Sequence, residues 1–158
     1  MTSEGHLREP GPTLSRVVMA SADDVWSVLA DGWSYANWVV GTAQIRAVDW
    51  DWPQPTSKIH HAFGAWPALI KDVTVVESWD PGRDLVLTAR GWPAGEARVH
   101  VTIRPLTGDR SVVTMTEDAV SGPALLVPAL VRRLLLIPRN RESLHRVALV
   151  AEGHRRSS

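Results

Sequence analysis

The stretch Ser21-Ala-Asp-Asp-Val-Trp-Ser-Val-Leu-Ala-Asp-Gly-Trp-Ser-Tyr-Ala-Asn-Trp38 restricts the fold of this chain more than any other. Ser21 suits an N-cap. Asp24, three residues on, completes an acidic capping box, and carboxylates at this end favour the helix dipole. Val25, Val28 and Leu29 then share one helical face, with Trp26 beside them. Gly32 is placed to end the helix in a left-handed conformation. Trp33, Tyr35 and Trp38 crowd the next short turn of helix, and Gly41 closes it. An apolar run with strand character, Leu14 to Met19, comes immediately before. The chain therefore opens with a strand followed by two short helices.

From Thr42 the pattern becomes strand-like. Ala43 to Val48 alternates loosely, and Trp52-Pro-Gln-Pro55 reads as a turn. Lys58 to Phe63 and Ala68 to Trp79 are the next strands, with a break or bulge at Gly64 to Pro67. Asp80-Pro-Gly-Arg83 is a strong turn signal. Asp84 to Arg90, Glu96 to Arg104 and Ser111 to Glu117 follow, separated by short Gly-containing links. Links so short force antiparallel neighbours, because a parallel crossover needs about a dozen residues or more. The sheet is read as a meander.

After Gly122-Pro123 the pattern is helical. Leu130, Leu134, Ile137, Leu144, Ala148 and Ala151 form a stripe mostly at spacings of three and four, interrupted by Arg141. Pro138 should kink or split this helix, and Glu142 and Arg146 make a correctly oriented i,i+4 pair. Residues 1–12 read as a disordered lead-in without a signal-peptide core, 13–153 as one domain, and 154–158 as a frayed basic tail.

Composition narrows the functional classes. Formal net charge is zero and the arginines are scattered among acids, which argues against nucleic-acid binding. There is no cysteine, so disulfides, thiolate metal sites and cysteine nucleophiles are excluded together. No phosphate-binding glycine loop, nucleophile elbow or metal-ligand spacing is present; neighbouring His60 and His61 point to opposite strand faces, and neither cofactor nor metal is expected. These absences, and no span long enough for a bilayer, read as a cytoplasmic protein.

With its elements in this order, the sequence resembles the START-like, polyketide-cyclase-type (SRPBCC) superfamily, which shares the helix-grip fold. The resemblance rests on Val25-Trp26, Val28-Leu29-Ala30-Asp31, Trp33, Tyr35 and Trp38. Val75-Val76-Glu77-Ser78-Trp79-Asp80-Pro81-Gly82-Arg83 with Leu85-Val86-Leu87 supports it, as do the Gly108 turn, the strand Val112 to Met115 and the final helix. It covers about Leu14 to Glu152, and Ala36-Asn37-Trp38 lacks the proline often found before the last aromatic. It implies an α+β fold in which a curved seven-stranded antiparallel sheet grips a long C-terminal helix, with two short helices between the first two strands. Members bind lipids, polyketides or other apolar small molecules, and some are cyclases or dehydratases. The superfamily has no invariant catalytic set to carry over.

Candidate groups therefore come from strand alternation. Ile59, His61 and Phe63 share one face, as do Val113, Met115 and Glu117, and Ala97, Val99, Val101 and Ile103. The expected partner is an apolar small molecule lodged between sheet and helix. Phe63, Trp66, Val99, Val101, Met115, Leu134 and Leu144 would line its cavity, and His61 and Glu117 would serve as polar anchors. The rival reading is a cyclase or dehydratase using His61 and Glu117 as acid and base. A third is a protein-interaction module built on the tryptophans. Which of Lys71 and Asp72 faces the cavity is left open by alternation, as is oligomeric state. Ala124 to Ile137, with Arg132 and Arg133, is read as covering the cavity with its leucines; shallow contact with a membrane surface is the alternative, and stable insertion is not expected.

Overall fold

Ser21 does cap the first helix. In the computed structural model, which describes residues 11–65, 67–91 and 95–157, its hydroxyl accepts from the Asp24 amide at 3.1 Å. The Ser21 amide in turn donates to the Asp24 carboxylate at 3.2 Å. This reciprocal box starts α1 (Ala22–Ala30), which follows β1 (Thr13–Val18) and buries Val25, Val28 and Leu29.

Gly32 departs from expectation. Helix α1 ends at Ala30, and the Asp31 carboxylate caps a new 3-10 turn (Gly32–Ser34) by accepting from the Trp33 amide at 3.0 Å and the Ser34 hydroxyl at 2.8 Å. Glycine is needed there for room: a Cβ would stand 2.5 Å from Val48 Cγ1. The left-handed residue is Gly41, with φ +95°, between α2 (Tyr35–Trp38) and β2 (Thr42–Val48).

The remaining strands are β3 (Lys58–Phe63), β4 (Ile70–Asp80), β5 (Asp84–Gly91), β6 (Gly95–Leu106) and β7 (Arg110–Ser121). All pair antiparallel in one seven-stranded sheet of order β1-β7-β6-β5-β4-β3-β2. Chain order is preserved from β2 to β7, and β1 closes beside β7. A 3-10 turn (Pro123–Leu126) leads into α3 (Ala129–Arg156). The meander, the two short helices and the terminal helix form the expected helix-grip arrangement.

The core lies between the inner sheet face, α1, α2 and the second half of α3. Val18, Ile59, Val76, Leu85, Leu87, Val101, Ile103, Val113 and Met115 come from the sheet, and Leu144, Val147, Ala148 and Ala151 from α3. Burying one such side chain is worth about 1.5–3 kcal/mol. Trp26 stacks on Trp79 at 5.2 Å and Trp38 is buried, whereas Trp33 is exposed.

Two expectations about α3 need correction. Pro138 does not split it: the helix is continuous through Arg156, so the basic end is helical, where its charge favours the dipole. Proline deprives the Leu134 carbonyl of its partner, but Leu134 lies on the exposed part of the helix, where water can serve.

Candidate functional site

Cross-strand register places the inward-facing side chains in rows. Glu117, Val99, Leu87 and Val76 form one row across β7, β6, β5 and β4. The next row is Ala119, Ala97, Ala89, Thr74 and Ile59. Asp72 and His61 face each other one row further. The floor of the grip thus changes abruptly, from branched apolar side chains to three alanines bordered by polar groups. The alanines are only partly buried, so the described residues leave this end of the inner face less tightly covered than the row before it.

Polar groups adjoin the alanine row on the β4 and β3 side. Thr74, fully buried on β4, sits 2.9 Å from the Tyr35 hydroxyl and 3.0 Å from His61 Nε2. The Tyr35 and His61 rings also stack, with centroids 5.5 Å apart. Tyr35 can donate to Thr74 and Thr74 to His61 Nε2, or the chain can run the other way with the imidazole donating. Burial pushes the Tyr35 pKa up, against the opposing hydrogen bond from Thr74, so the phenol stays protonated. Burial also pushes His61 down, against the raising influence of Asp72, so its imidazole is neutral near pH 7.

Glu117 is buried on β7, and Arg139 of α3 covers it. One guanidinium nitrogen of Arg139 lies 2.7 and 2.8 Å from the two carboxylate oxygens. The Arg139 Nε–H also reaches the Val40 carbonyl at 3.4 Å, tying α3 to the link between α2 and β2. Arg139, Glu117 and Asp72 all act electrostatically on Tyr35.

Among the described residues, three buried nitrogens have no hydrogen-bond partner: Trp38 Nε1, His61 Nδ1 and Asn140 Nδ2. A buried orphan of this kind costs about 1–3 kcal/mol. Two of the three are obligate donors, so an oxygen acceptor is the complement they lack.

The site residues read from alternation are therefore distributed as follows. His61 and Glu117 both face inward, but each has its own partner, Thr74 and Arg139, and no contact joins them as an acid–base pair. Val101, Met115 and Leu144 are buried in the core, and Val99 and Phe63 are partly buried. Asp72 is the inward member of its pair and Lys71 is exposed. Trp66 lies outside the described residues. Leu134 lies outside the core: it is 64% exposed, and α3 has no buried residue before Asn140.

Sequence reasoning missed Tyr35, Thr74, Arg139 and Asn140. A lone tyrosine in a tryptophan-rich chain was a usable signal for Tyr35, and Thr74 shares the face of Asp72 and Val76. Nothing in the sequence pairs Arg139 with Glu117.

A separate surface groove of about 1140 Å³ opens at the opposite end of the sheet, beside the β4–β5 and β6–β7 turns. Ser15, Arg83, Asp84, Thr102, Arg104 and Thr114 are among its lining, and none of the expected pocket residues borders it. Among the described residues no three His, Asp or Glu side chains cluster as a metal site would require, and no helix is long and apolar enough to cross a membrane.

Comparison with solved structures places this architecture among known ones. A Chromobacterium violaceum protein aligns with TM-score 0.67 at 17% identity, covering 90% of this chain and 97% of its own. The Zhui aromatase/cyclase from Streptomyces sp. R1128 aligns with TM-score 0.64 at 19% identity, covering 89% and 92%. The di-domain ARO/CYC BexL from the BE-7585A biosynthetic pathway aligns with TM-score 0.70 at 16% identity, covering 91% of this chain and 47% of that one. These likenesses concern the fold. No curated protein matches the sequence. The sequence model described as polyketide cyclase / dehydrase and lipid transport matches residues 12–152, and the chain belongs to that family.

Proposed function

We propose that the chain binds an apolar small molecule bearing oxygen acceptors, in the space between the inner sheet face and α3. The observation that carries this reading is the alanine row Ala89–Ala97–Ala119, which continues into Thr74 and its Tyr35 and His61 partners; the buried nitrogens of Trp38, His61 and Asn140 are the groups still lacking an acceptor. Leucine or valine there would complete the core seen in the neighbouring row. Alanine leaves volume, and the orphaned donors supply orientation to whatever fills it. Val99, Val101, Met115 and Leu144 form the packed wall behind that space, with Phe63 at the margin; affinity would come from apolar area at about 25 cal/mol per Å².

Native mass spectrometry of the freshly purified chain tests this directly. A co-purifying mass is expected, and Ala97→Leu should abolish it while leaving the fold intact. A chain free of ligand that also binds no member of a panel of apolar ketones and fatty acids would overturn the reading.

The Tyr35–Thr74–His61 chain favours a second reading, a cyclase or dehydratase. A neutral His61 would accept a proton from carbon beside a ketone, and Tyr35 would donate to the developing oxyanion. Glu117, with both oxygens against Arg139, would act by fixing that guanidinium rather than by carrying the proton. In this case His61→Ala should stop turnover of a β-ketone substrate and keep the bound mass. Loss of both would assign His61 to binding.

A further inference from the structure

The first half of α3 is patterned for a partner outside the molecule. No residue from Ala129 to Arg139 is buried, whereas Asn140, Ser143, Leu144, Val147, Ala148 and Ala151 are. The exposed residues are large and apolar: Leu126 is 88% exposed, Leu130 70%, Leu134 64% and Leu135 66%. Val131 and Leu125 add to the same patch. Contiguous apolar surface of this kind on a monomer marks an interaction site.

Charge identifies the occupant. Between Asp118 and Glu142 there is no acidic residue, and the charged residues are Arg132, Arg133, Arg139 and Arg141. Arg139 is held by Glu117, which leaves Arg132, Arg133 and Arg141 to flank the leucines. A second copy of the chain seated on this face would set these arginines against their own counterparts, with no acid in the segment to offset them. An anionic bilayer meets both features: leucines enter the headgroup–acyl boundary while arginines remain at the phosphate level. We infer that the Pro123–Arg141 segment is a reversible docking surface for anionic membranes. This inference does not depend on the interior ligand.

Co-sedimentation of the full chain with phosphatidylcholine vesicles, with and without phosphatidylserine, tests it. Binding is expected only with phosphatidylserine and should weaken as salt rises. Leu130→Ser with Leu134→Ser should lower binding by about tenfold or more, since each leucine contributes a side-chain burial. Arg132→Gln with Arg133→Gln should remove most of the salt dependence. Leu130, Leu134 and Arg133 are exposed, so thermal unfolding should be unchanged in the leucine pair. Arg132 is half-buried and its Nη1 donates to the Ala124 carbonyl at 3.4 Å, so Arg133→Gln alone serves as the control that leaves this contact in place.

No sedimentation with either vesicle would overturn the proposal, as would equal sedimentation with both. A solution mass of two chains that reverts to one in the leucine pair, without vesicle binding, would assign the surface to a second copy. A lowered melting temperature in the leucine pair would show that these side chains are packed, and would also overturn it.

Discussion

Leu130 and Ala148 lie eighteen residues apart on α3, five full turns, and so project in the same direction. One is 70% exposed and the other 2%. Helical phase cannot account for that contrast; position along the axis does. Helix α3 packs on β1, α1 and α2, and its buried residues all lie from Asn140 onward: Asn140 and Ser143, then Leu144, Val147, Ala148 and Ala151. Before Asn140 the same periodic stripe continues over open ground. A hydrophobic stripe at helical spacing therefore establishes that one face is apolar, and leaves undetermined how far along the helix a partner exists.

The sharpest way to break this comparison is a pair of truncations, one in each half. Leu144→Ala should cost about 2–5 kcal/mol in urea unfolding, the range for a buried leucine. The two halves would be equivalent if Leu134→Ala cost as much.

The junction between them comes next. Arg139 stands one residue before the first buried position and holds Glu117, whose side chain is 6% exposed against 36% for Arg139. Breaking a fully buried pair costs about 3–5 kcal/mol; partial wetting of the guanidinium lowers this to about 2 kcal/mol for Arg139→Met. Adding Glu117→Gln should restore most of the loss. Failure of that rescue would mean that Arg139 matters through its contact with Val40.

A third measurement concerns the interior that the second half covers. His61 has its pKa lowered by burial, so below its ordinary value of 6.5 the unfolded chain binds a proton that the folded one resists. Stability contributed by the neutral imidazole is present above that value and is lost as pH falls toward the folded pKa. The His61 contribution to the slope should reach at most about 1.4 kcal/mol per pH unit, and His61→Gln should flatten it. An unchanged slope would mean that water reaches the ring.

The smallest effect is expected at the outer half itself. Leu134→Ala should change stability by less than about 0.5 kcal/mol, as exposed substitutions do. A larger loss would show that this half is packed against the body of the protein.

The same contrast explains what was legible beforehand. The capping box at Ser21, the turns and the period-two strands are local signals, and their order was enough for the architecture. His61 and Glu117 were correctly turned inward, since alternation is a local property too. Their partners were not legible, because Thr74–His61 and Arg139–Glu117 depend on register and on the placement of α3 over the sheet. Gly32 was misread for a related reason. Its requirement comes from Val48, sixteen residues away, rather than from the end of its own helix.

One feature of the interior carries information as well as chemistry. The Thr74 hydroxyl has a single hydrogen, and two rings compete for it. If His61 Nε2 receives it, the Tyr35 phenol must supply the next hydrogen, and Nδ1 becomes a donor. If His61 donates instead, Nδ1 is an acceptor and the Tyr35 hydrogen is released for other use. The polarity of an atom next to Nδ1 is therefore written across the site as the orientation of the tyrosine hydroxyl, with no heavy atom displaced. Thr74→Val would erase that message while preserving the shape of the side chain, leaving two aromatic rings in place that no longer read each other.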